Sequence, residues 1–557
     1  MKLTANAKTV LESRYLLRDS AGKLTESPSG LFERVAGAIA DGEGRQKGLW
    51  TERFFEVMAE GRFLPNSPTL MNAGKAAGQL SACFVIPVED TLDRIFDALK
   101  DAARIHQSGG GTGFSFSRLR PQGSGVGSSQ GIASGPVSFM RVFDGATEAI
   151  KQGGARRGAN MAVLRVDHPD IFDFIDCKRD GRSFANFNVS VGVTGEFMRA
   201  VADDFDFQLR DPRDGRCVRS VRARELFGRI SQAAWECGDP GIVFLDRMNL
   251  FNPTPRAGSF ESTNPCGEQP LLGFESCNLG SLNLGRYVSR KGFDWDRYGV
   301  DIATAVRFLD NVIDRNSYPL VASRKITLRN RKIGLGVMGF ADALLALDLP
   351  YDSPGGVAFG ERIMSFLDRV AKQVSAELAA QRGAFPNWKG SLWRRLGYPP
   401  LRNSTVSTVA PTGTISMIAG ASSGIEPIFA GIFSRNVLSG QRLREVHPAV
   451  ERLIRAKKLD PSLLTEGDLE AALGPGWSPA YRVSVEGHVR MQAAFQRHSD
   501  SAVSKTINLP ESATVADVQR AYELAYRMGC KGITVYRDQS RGQQVLEAET
   551  VCETCEV

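Results

Sequence analysis

No stretch of this sequence is long and apolar enough to cross a bilayer, since none approaches the roughly 18 residues that a membrane helix needs. The N-terminus, MKLTANAKTVLESRYLL, lacks the short apolar centre of a secretory signal. Both absences point to a cytoplasmic protein without a membrane role. There is also no lysine or arginine tract of the kind that follows a nucleic-acid backbone. The 69 basic residues are interspersed with 62 acidic ones for a formal net charge of +7. That small excess suits a lining for a phosphorylated small molecule. Histidine is scarce, with five in 557 residues, at positions 106, 168, 447, 488 and 498. No glycine-rich stretch has the Walker spacing, and no fixed-period repeat appears. The nine cysteines are an odd number, and in a cytoplasmic chain they read as buried thiols, metal ligands or redox catalysts, not as a disulfide framework.

What is present is the balance of a globular protein, 42% hydrophobic and 24% charged. The first 60 or so residues read as helical, with apolar residues at helical spacing in LFERVAGAIA (31–40) and TERFFEVMAEGRF (51–63). From Pro65 the pattern alternates. CFVIPV (83–88), NMAVLRV (160–166), NFNVSVGV (186–193), GIVFLD (241–246), KIGLGVM (332–338), STVSTVAP (404–411) and GITVYRD (532–538) read as short buried strands. Helices are expected at 91–106, with Asp90 or Thr91 as cap, at 224–238 and at 360–383. Such alternation over roughly 470 residues argues a mainly parallel α/β sheet or barrel. The expected division is a helical region over 1–64, a catalytic α/β unit over 65–544 and a polar tail over 545–557 that ends in Cys-x-x-Cys.

Three glycine-rich segments, 108–121, 123–135 and 151–160, permit close backbone approach and suit phosphates or nucleotides as well as plain surface loops. In STVAPTGTISMIAGASSGIEP (407–427) a strand runs through Pro411, Thr412, Gly413 and Thr414 into a helical stretch, so backbone N–H groups there can form an anion site. STNPCGEQPLLGFESCNLGSLNLG (262–285) holds Cys266 and Cys277 in an irregular segment beside Glu268 and Asn264. No histidine lies within it to activate a thiolate, and two further zinc ligands at short spacing are absent. A third reading makes the thiol a hydrogen-atom carrier, with Glu268 as base and a thiol pair, Cys277 with Cys83, supplying two electrons.

The pentad Asn-Pro-Cys-Gly-Glu, followed by Ser-Cys-Asn-Leu-Gly-Ser-Leu-Asn-Leu, resembles the finger loop of ribonucleotide reductase catalytic chains. Asn66-Ser67-Pro68, Ser81-Ala82-Cys83-Phe84-Val85, the GGGTG stretch, Gln152-Gly153-Gly154 with Arg156 and Arg157, and APTGTIS follow in family order. The ending GCKGITVYRDQSR (529–541) resembles the class II form, which uses adenosylcobalamin. No two of the ten tyrosines are adjacent, whereas class I chains carry a Tyr-Tyr pair. A class I chain needing a radical-generating subunit is the alternative.

The resemblance implies a ten-stranded α/β barrel of two five-stranded halves with the finger loop threaded through it, shielding Cys266 from water. It makes Cys266 the transient thiyl, Glu268 the base, Asn264 the orienting amide, and Cys83 with Cys277 the reducing pair. Cys552 and Cys555 become the tail shuttle, recharged by a thioredoxin-like reductant. No metal is expected on protein ligands apart from the cofactor's cobalt. The substrate, a ribonucleoside diphosphate, is expected at Ser67, Ala82, Cys83, Gly111, Asn264, Pro265, Cys266, Gly267, Glu268, Pro411, Thr412, Gly413, Thr414 and Ile415. A deoxynucleoside triphosphate effector is expected at Asp90, with loop 123–135 framing it and Gln152, Arg156 and Arg157 relaying it. A homodimer is expected. The residues before Pro65 are too few for the family's N-terminal ATP-binding domain. Cys177, Cys217, Cys237 and Cys530 are read as small packed hydrophobes, and His106 and His168 as structural.

Overall fold

The computed structural model describes residues 3–76, 78–126, 131–152, 156–436, 442–540 and 546–548. The tail cysteines Cys552 and Cys555 lie outside the described residues. Three helices open the chain: Ala5–Arg14 (α1), Pro28–Ala40 (α2) and Lys47–Ala59 (α3). Thr4 and Ser27 cap the first two, their hydroxyls accepting from the amides of Ala7 and Gly30. Along α2 the residues Leu31, Phe32, Val35, Ala36 and Ile39 form a buried stripe at helical period.

The alternating region forms a ring of strands. Cys83–Val85 (β1), Gly111–Ser115 (β2), Asn160–Arg165 (β3), Phe187–Val193 (β4) and Gly241–Phe244 (β5) pair in chain order, all parallel. The other half begins with Ser276–Asn283 (β6) and Ile333–Met338 (β7), also parallel to each other. Residues 404–410 follow as an extended segment, bridged in parallel from Ser407 to Leu335 of β7 and from Val409 to Val503. Val503 leads directly into Thr506–Leu509 (β8), which pairs in parallel with Gly532–Arg537 (β9). β9 meets β5 antiparallel, and β6 meets β1 antiparallel, so the hydrogen-bonded path returns to its start. The result is two parallel halves of five, β1 to β5 and β6, β7, 404–410, β8 and β9. This is the arrangement that the resemblance implies.

Crossover helices cover the outside. Leu92–Gln107 (α4) follows β1 and is capped by Thr91, whose hydroxyl accepts from the Arg94 amide. Trp295–Arg315 (α5) follows β6, Pro354–Arg382 (α6) follows β7, and the short helix Gly413–Ala419 (α7) follows 404–410. α2 and α3 pack on α5, so the N-terminal helices and the β6–β7 side share one core that includes Phe54, Phe308, Leu309, Val337 and Ile418. A second core under α4 and β1 to β5 is built on Phe84, Phe114, Phe116, Phe143 and Phe187.

Three of the ring strands, β2, β6 and β8, escape the alternation pattern. β2 and β6 are rich in glycine, serine, asparagine and threonine, yet every residue of both is buried. The GGGTG stretch, 109–113, is a turn after α4 that runs straight into β2. A Cβ on Gly113 would collide with the Thr263 carbonyl, and one on Gly111 would press Pro265 at 3.0 Å. These glycines make room for a second layer of chain inside the ring. The polar ending also holds more structure than its sequence suggests, since Leu546–Ala548 pairs antiparallel with the strand Ile432–Asn436. Cys217, expected to pack as a small hydrophobe, is exposed, whereas Cys530 is buried as expected.

Candidate active site

The chain between β5 and β6 supplies that inner layer. Ser262–Thr263 pairs with Pro270–Leu271 as a narrow hairpin, and residues 264–269 form its tip. The Asn264 amide donates to the Gln269 carbonyl at 3.2 Å, and the Asn264 side-chain oxygen accepts from the Gln269 amide at 2.9 Å. Gly267 takes φ 82° to close the turn. Anchors reach the tip from both halves of the ring. Asn188 of β4 donates to the Pro265 carbonyl at 2.7 Å. The Glu268 carbonyl accepts from Thr408 Oγ1 at 3.0 Å and from the Ala502 amide at 2.8 Å. At the base of the hairpin, buried Lys332 and Glu275 form an ion pair of 2.7 Å, and Lys332 also donates to the Pro270 carbonyl.

Cavities flank the tip on either side. One, of about 290 Å³, is lined by Ser67, Ala82, Cys83, Gly111, Asn264, Pro265, Cys266 and Glu268, and by Pro411, Thr412, Gly413, Thr414 and Ile415. Of the residues expected around a substrate, only Gly267 is missing from this wall. It lines the second cavity, of about 310 Å³, together with Cys266, Pro265 and Pro411. Cys266 thus faces both spaces and is exposed to them, where the resemblance had implied a thiol shielded from water.

Glu268 is fully buried, and among the described residues its Oε2 has no hydrogen-bond partner. Burial holds its pKa up at about 7, partly offset by a hydrogen bond from Asn264. The same Asn264 donates Nδ2 to Cys83 Sγ at 3.2 Å. Cys83 and Cys277 are directly opposed across the antiparallel β1–β6 junction. Cys277 is wholly buried and donates to the Asn278 carbonyl at 3.3 Å. Burial pushes its pKa far above the ordinary thiol value, while the Lys332 cation pulls it back.

The 411–415 turn enters α7 through Thr412 at φ 56°, whose hydroxyl accepts from the Gly424 amide at 2.7 Å. His106 also lines the first cavity, and burial lowers its pKa to about 4. Its Nε2 meets Thr112 Oγ1 at 2.8 Å, and Thr112 donates to Asn160 at 2.6 Å. His168 is buried against the Leu119 carbonyl, as a structural histidine should be. Asp90 accepts from the Arg120 amide and from Arg120 Nε at 2.8 Å. Lys151–Gln152 pairs with Arg156–Arg157 in a hairpin that packs on α4 and leads into Gly158 and Ala159 of the cavity wall. Within loop 123–135, Gly125–Val126 pairs with Gly131–Ile132, and 127–130 lie outside the described residues. Among the described residues, no group of three or more His, Cys, Asp or Glu could hold a metal ion, and no helix is long and apolar enough to cross a membrane.

A thiol at a hairpin tip, a carboxyl poised near neutrality and an opposed thiol pair can together exchange hydrogen, move a proton and deliver two electrons. The family model described as ribonucleotide reductase, barrel domain, matches residues 81–536, and that described as ribonucleotide reductase, all-alpha domain, matches residues 1–78. The chain belongs to the ribonucleotide reductase family. It is 46% identical to a vitamin B12-dependent ribonucleoside-diphosphate reductase of Thermoplasma acidophilum, over 99% of this chain and 81% of that protein. It is 47% identical to a protein of the same description from Mycobacterium tuberculosis, over 98% and 81%. Identity to a ribonucleoside-diphosphate reductase subunit alpha of Chlamydia pneumoniae is 28%, over 93% and 58%.

Several walls of the second cavity belong to motifs already quoted, namely Pro265, Cys266, Gly267, Pro411 and the 529–541 ending of the reductase sequence, but nothing in their spacing joined them into one site. Ser190 of β4, Asp239, Ser504, Thr506 of β8 and Thr534 of β9 come from segments far apart in the chain. Only the ring brings them together.

Proposed function

We propose that this reductase converts ribonucleoside diphosphates to 2′-deoxyribonucleotides with adenosylcobalamin as radical source. The observation that carries the reading is Cys266 standing between two cavities, with Glu268, Asn264 and the Cys83–Cys277 pair gathered on one side. The relatives at 46% and 47% identity are described as vitamin B12-dependent, which favours the class II assignment over a class I chain.

The second cavity fits the nucleoside part of the cofactor. It opens onto Cys266, and its hydroxyl, carboxylate and carbonyl groups can hold a base and a ribose. When bound, adenosylcobalamin supplies the one-electron oxidation that no side chain generates unaided.

On the other side, Cys266 exchanges a hydrogen atom with C3′ of the ribose. Glu268, ionised in part near neutral pH, takes the 3′-hydroxyl proton, and Asn264 orients the hydroxyls. The 2′-hydroxyl leaves as water. The two electrons and two protons come from the Cys83 and Cys277 thiols, which end as one disulfide. Cys552 and Cys555 return that pair to thiols by exchange, and a thioredoxin-like protein recharges them. Backbone amides of 412–415 and the Ser67 hydroxyl receive the diphosphate.

A deoxynucleoside triphosphate near Asp90, with the paired Lys151–Gln152 and Arg156–Arg157 as relay to Gly158 and Ala159, sets base preference, and the coupling must be reciprocal in binding free energy. Exposed Leu92 and Phe96 of α4, with exposed Val142 on the helix Pro136–Ala149 that packs on it, support a homodimer contact on this face. The test is reduction of a ribonucleoside diphosphate by the purified chain with dithiol and an effector, with and without adenosylcobalamin. Product only with the cofactor, lost in Cys266→Ala, is expected. Product only after a radical-generating subunit is added would refute the class II assignment.

A further inference from the structure

The N-terminal helices have no assigned part in the chemistry, yet α1 touches the first cavity from behind. Its Leu11 is fully buried in the core that holds Ile415 and Ile418, and α1 packs directly on α7. Tyr15, at the C-terminal end of α1 and only 2% exposed, reaches across to the cavity wall. Its hydroxyl donates to Ser67 Oγ at 2.8 Å.

The direction of that hydrogen bond matters. Ser67 has one hydrogen to give, and a hydroxyl that already accepts from Tyr15 has that hydrogen left for an acceptor in the cavity. Accepting one hydrogen bond also polarises the hydroxyl and strengthens the bond that it donates. Among the described residues, no lysine or arginine lines this cavity, and hydroxyl and amide donors are the groups at hand for an anionic ligand. The neighbouring residue points the same way. Asn66 lines the cavity, and its Oδ1 caps the next helix by accepting from the Thr69 amide at 2.9 Å. That bond identifies the other side-chain atom as Nδ2, and among the described residues this buried Nδ2 has no partner.

We infer that Tyr15 is a positioning residue for substrate binding: it orients the Ser67 hydroxyl, beside the waiting Asn66 amide, toward the phosphoryl oxygens of the bound nucleotide. The inference rests on the reading of Ser67 and 411–415 as the phosphate cradle. It makes α1 a structural part of that cradle, behind both Ser67 and the α7 turn. Displacing α1 would then alter nucleotide affinity without touching Cys266 or Glu268.

The experiment compares the full chain with Tyr15→Phe, Ser67→Ala and the double variant. Calorimetry gives the affinity of each for a ribonucleoside diphosphate and for the matching nucleoside without phosphates. Losing one such hydrogen bond should weaken diphosphate binding by about 3- to 10-fold in Tyr15→Phe. Nucleoside binding should stay unchanged, and the double variant should be no weaker than Ser67→Ala. A merely structural tyrosine would lower the melting temperature and leave the diphosphate-to-nucleoside ratio at the wild-type value. That ratio, unchanged in Tyr15→Phe while Ser67→Ala alters it, would overturn the inference and leave the cradle standing. An unchanged ratio in Ser67→Ala would bring down the cradle reading, and the inference with it. Tyr15→Met, apolar and of similar length, takes the place of Tyr15→Phe should the latter fail to fold.

Discussion

Replacing Glu268 by glutamine should separate activity from stability in opposite directions. The carboxyl is fully buried and its pKa is held up at about 7 from an ordinary 4.5. Below pH 4.5 the group is protonated in both the folded and the unfolded chain, and it contributes no pH dependence. Between 4.5 and about 7 the folded state keeps a proton that the unfolded state releases. Stability therefore falls as pH rises, by about 1.4 kcal/mol for each pH unit and about 3 kcal/mol in all. Above pH 7 the penalty is complete and flat. Glutamine cannot ionise, so Glu268→Gln should be more stable than the wild type by about 3 kcal/mol at pH 8 and by less than about 1 kcal/mol at pH 5. Denaturant melts of the two proteins across that range measure the gap. Reduction of ribonucleotides should fall by a factor on the order of 10² to 10⁴, the usual worth of a general base, while nucleotide affinity changes little. In the wild type, activity should rise with pH through about 7 as the base ionises. A stability gap that stays constant from pH 5 to pH 8 would refute the reasoning, since it would mean that Glu268 is not desolvated in the folded chain.

Gly113→Ala places a methyl group against the Thr263 carbonyl. It should destabilise the chain by about 1–3 kcal/mol in a thermal melt and, by shifting the hairpin tip by about 1 Å, lower kcat roughly 100-fold. Lys332→Met leaves Glu275 buried without its cation and should cost about 3–5 kcal/mol in denaturant unfolding, most of it recovered when Glu275→Gln is added. Phe96→Glu, on an exposed position of α4, should shift sedimentation from dimer toward monomer at micromolar concentration without unfolding the chain.

The parts of the fold legible in the sequence were those whose side chains carry the pattern. β3, β4 and β5 are runs of valine, isoleucine, leucine and phenylalanine, and their boundaries fall within a residue or two of the apolar runs. The reading failed where backbone, not side chain, fills the space. β2 and β6 look like loops because glycine, serine and asparagine are what fit beneath an inner layer of chain. The residues of the first cavity were legible through long motifs. The partners that tune them were not, because Lys332, Tyr15 and Asn188 reach the site through ring topology alone. Spacing alone does not place β1 beside β6, although the expected pairing of Cys83 with Cys277 requires it.

That adjacency has a thermodynamic side. β1 opens one half of the ring and β6 opens the other, and the two run antiparallel with Cys83 and Cys277 face to face. Directly opposed residues on antiparallel strands have Cα atoms about 4.5–5.5 Å apart, a spacing that a disulfide spans with little strain. Oxidation of the pair staples the two halves together and closes a covalent loop of nearly 200 residues. On the chain-entropy account, a loop of that length stabilises the folded chain by about 5 kcal/mol. The oxidised form is then the more stable of the two against unfolding. On the proposed function, each catalytic cycle would add that stability as it makes product, and the reductant that restores the thiols would remove it.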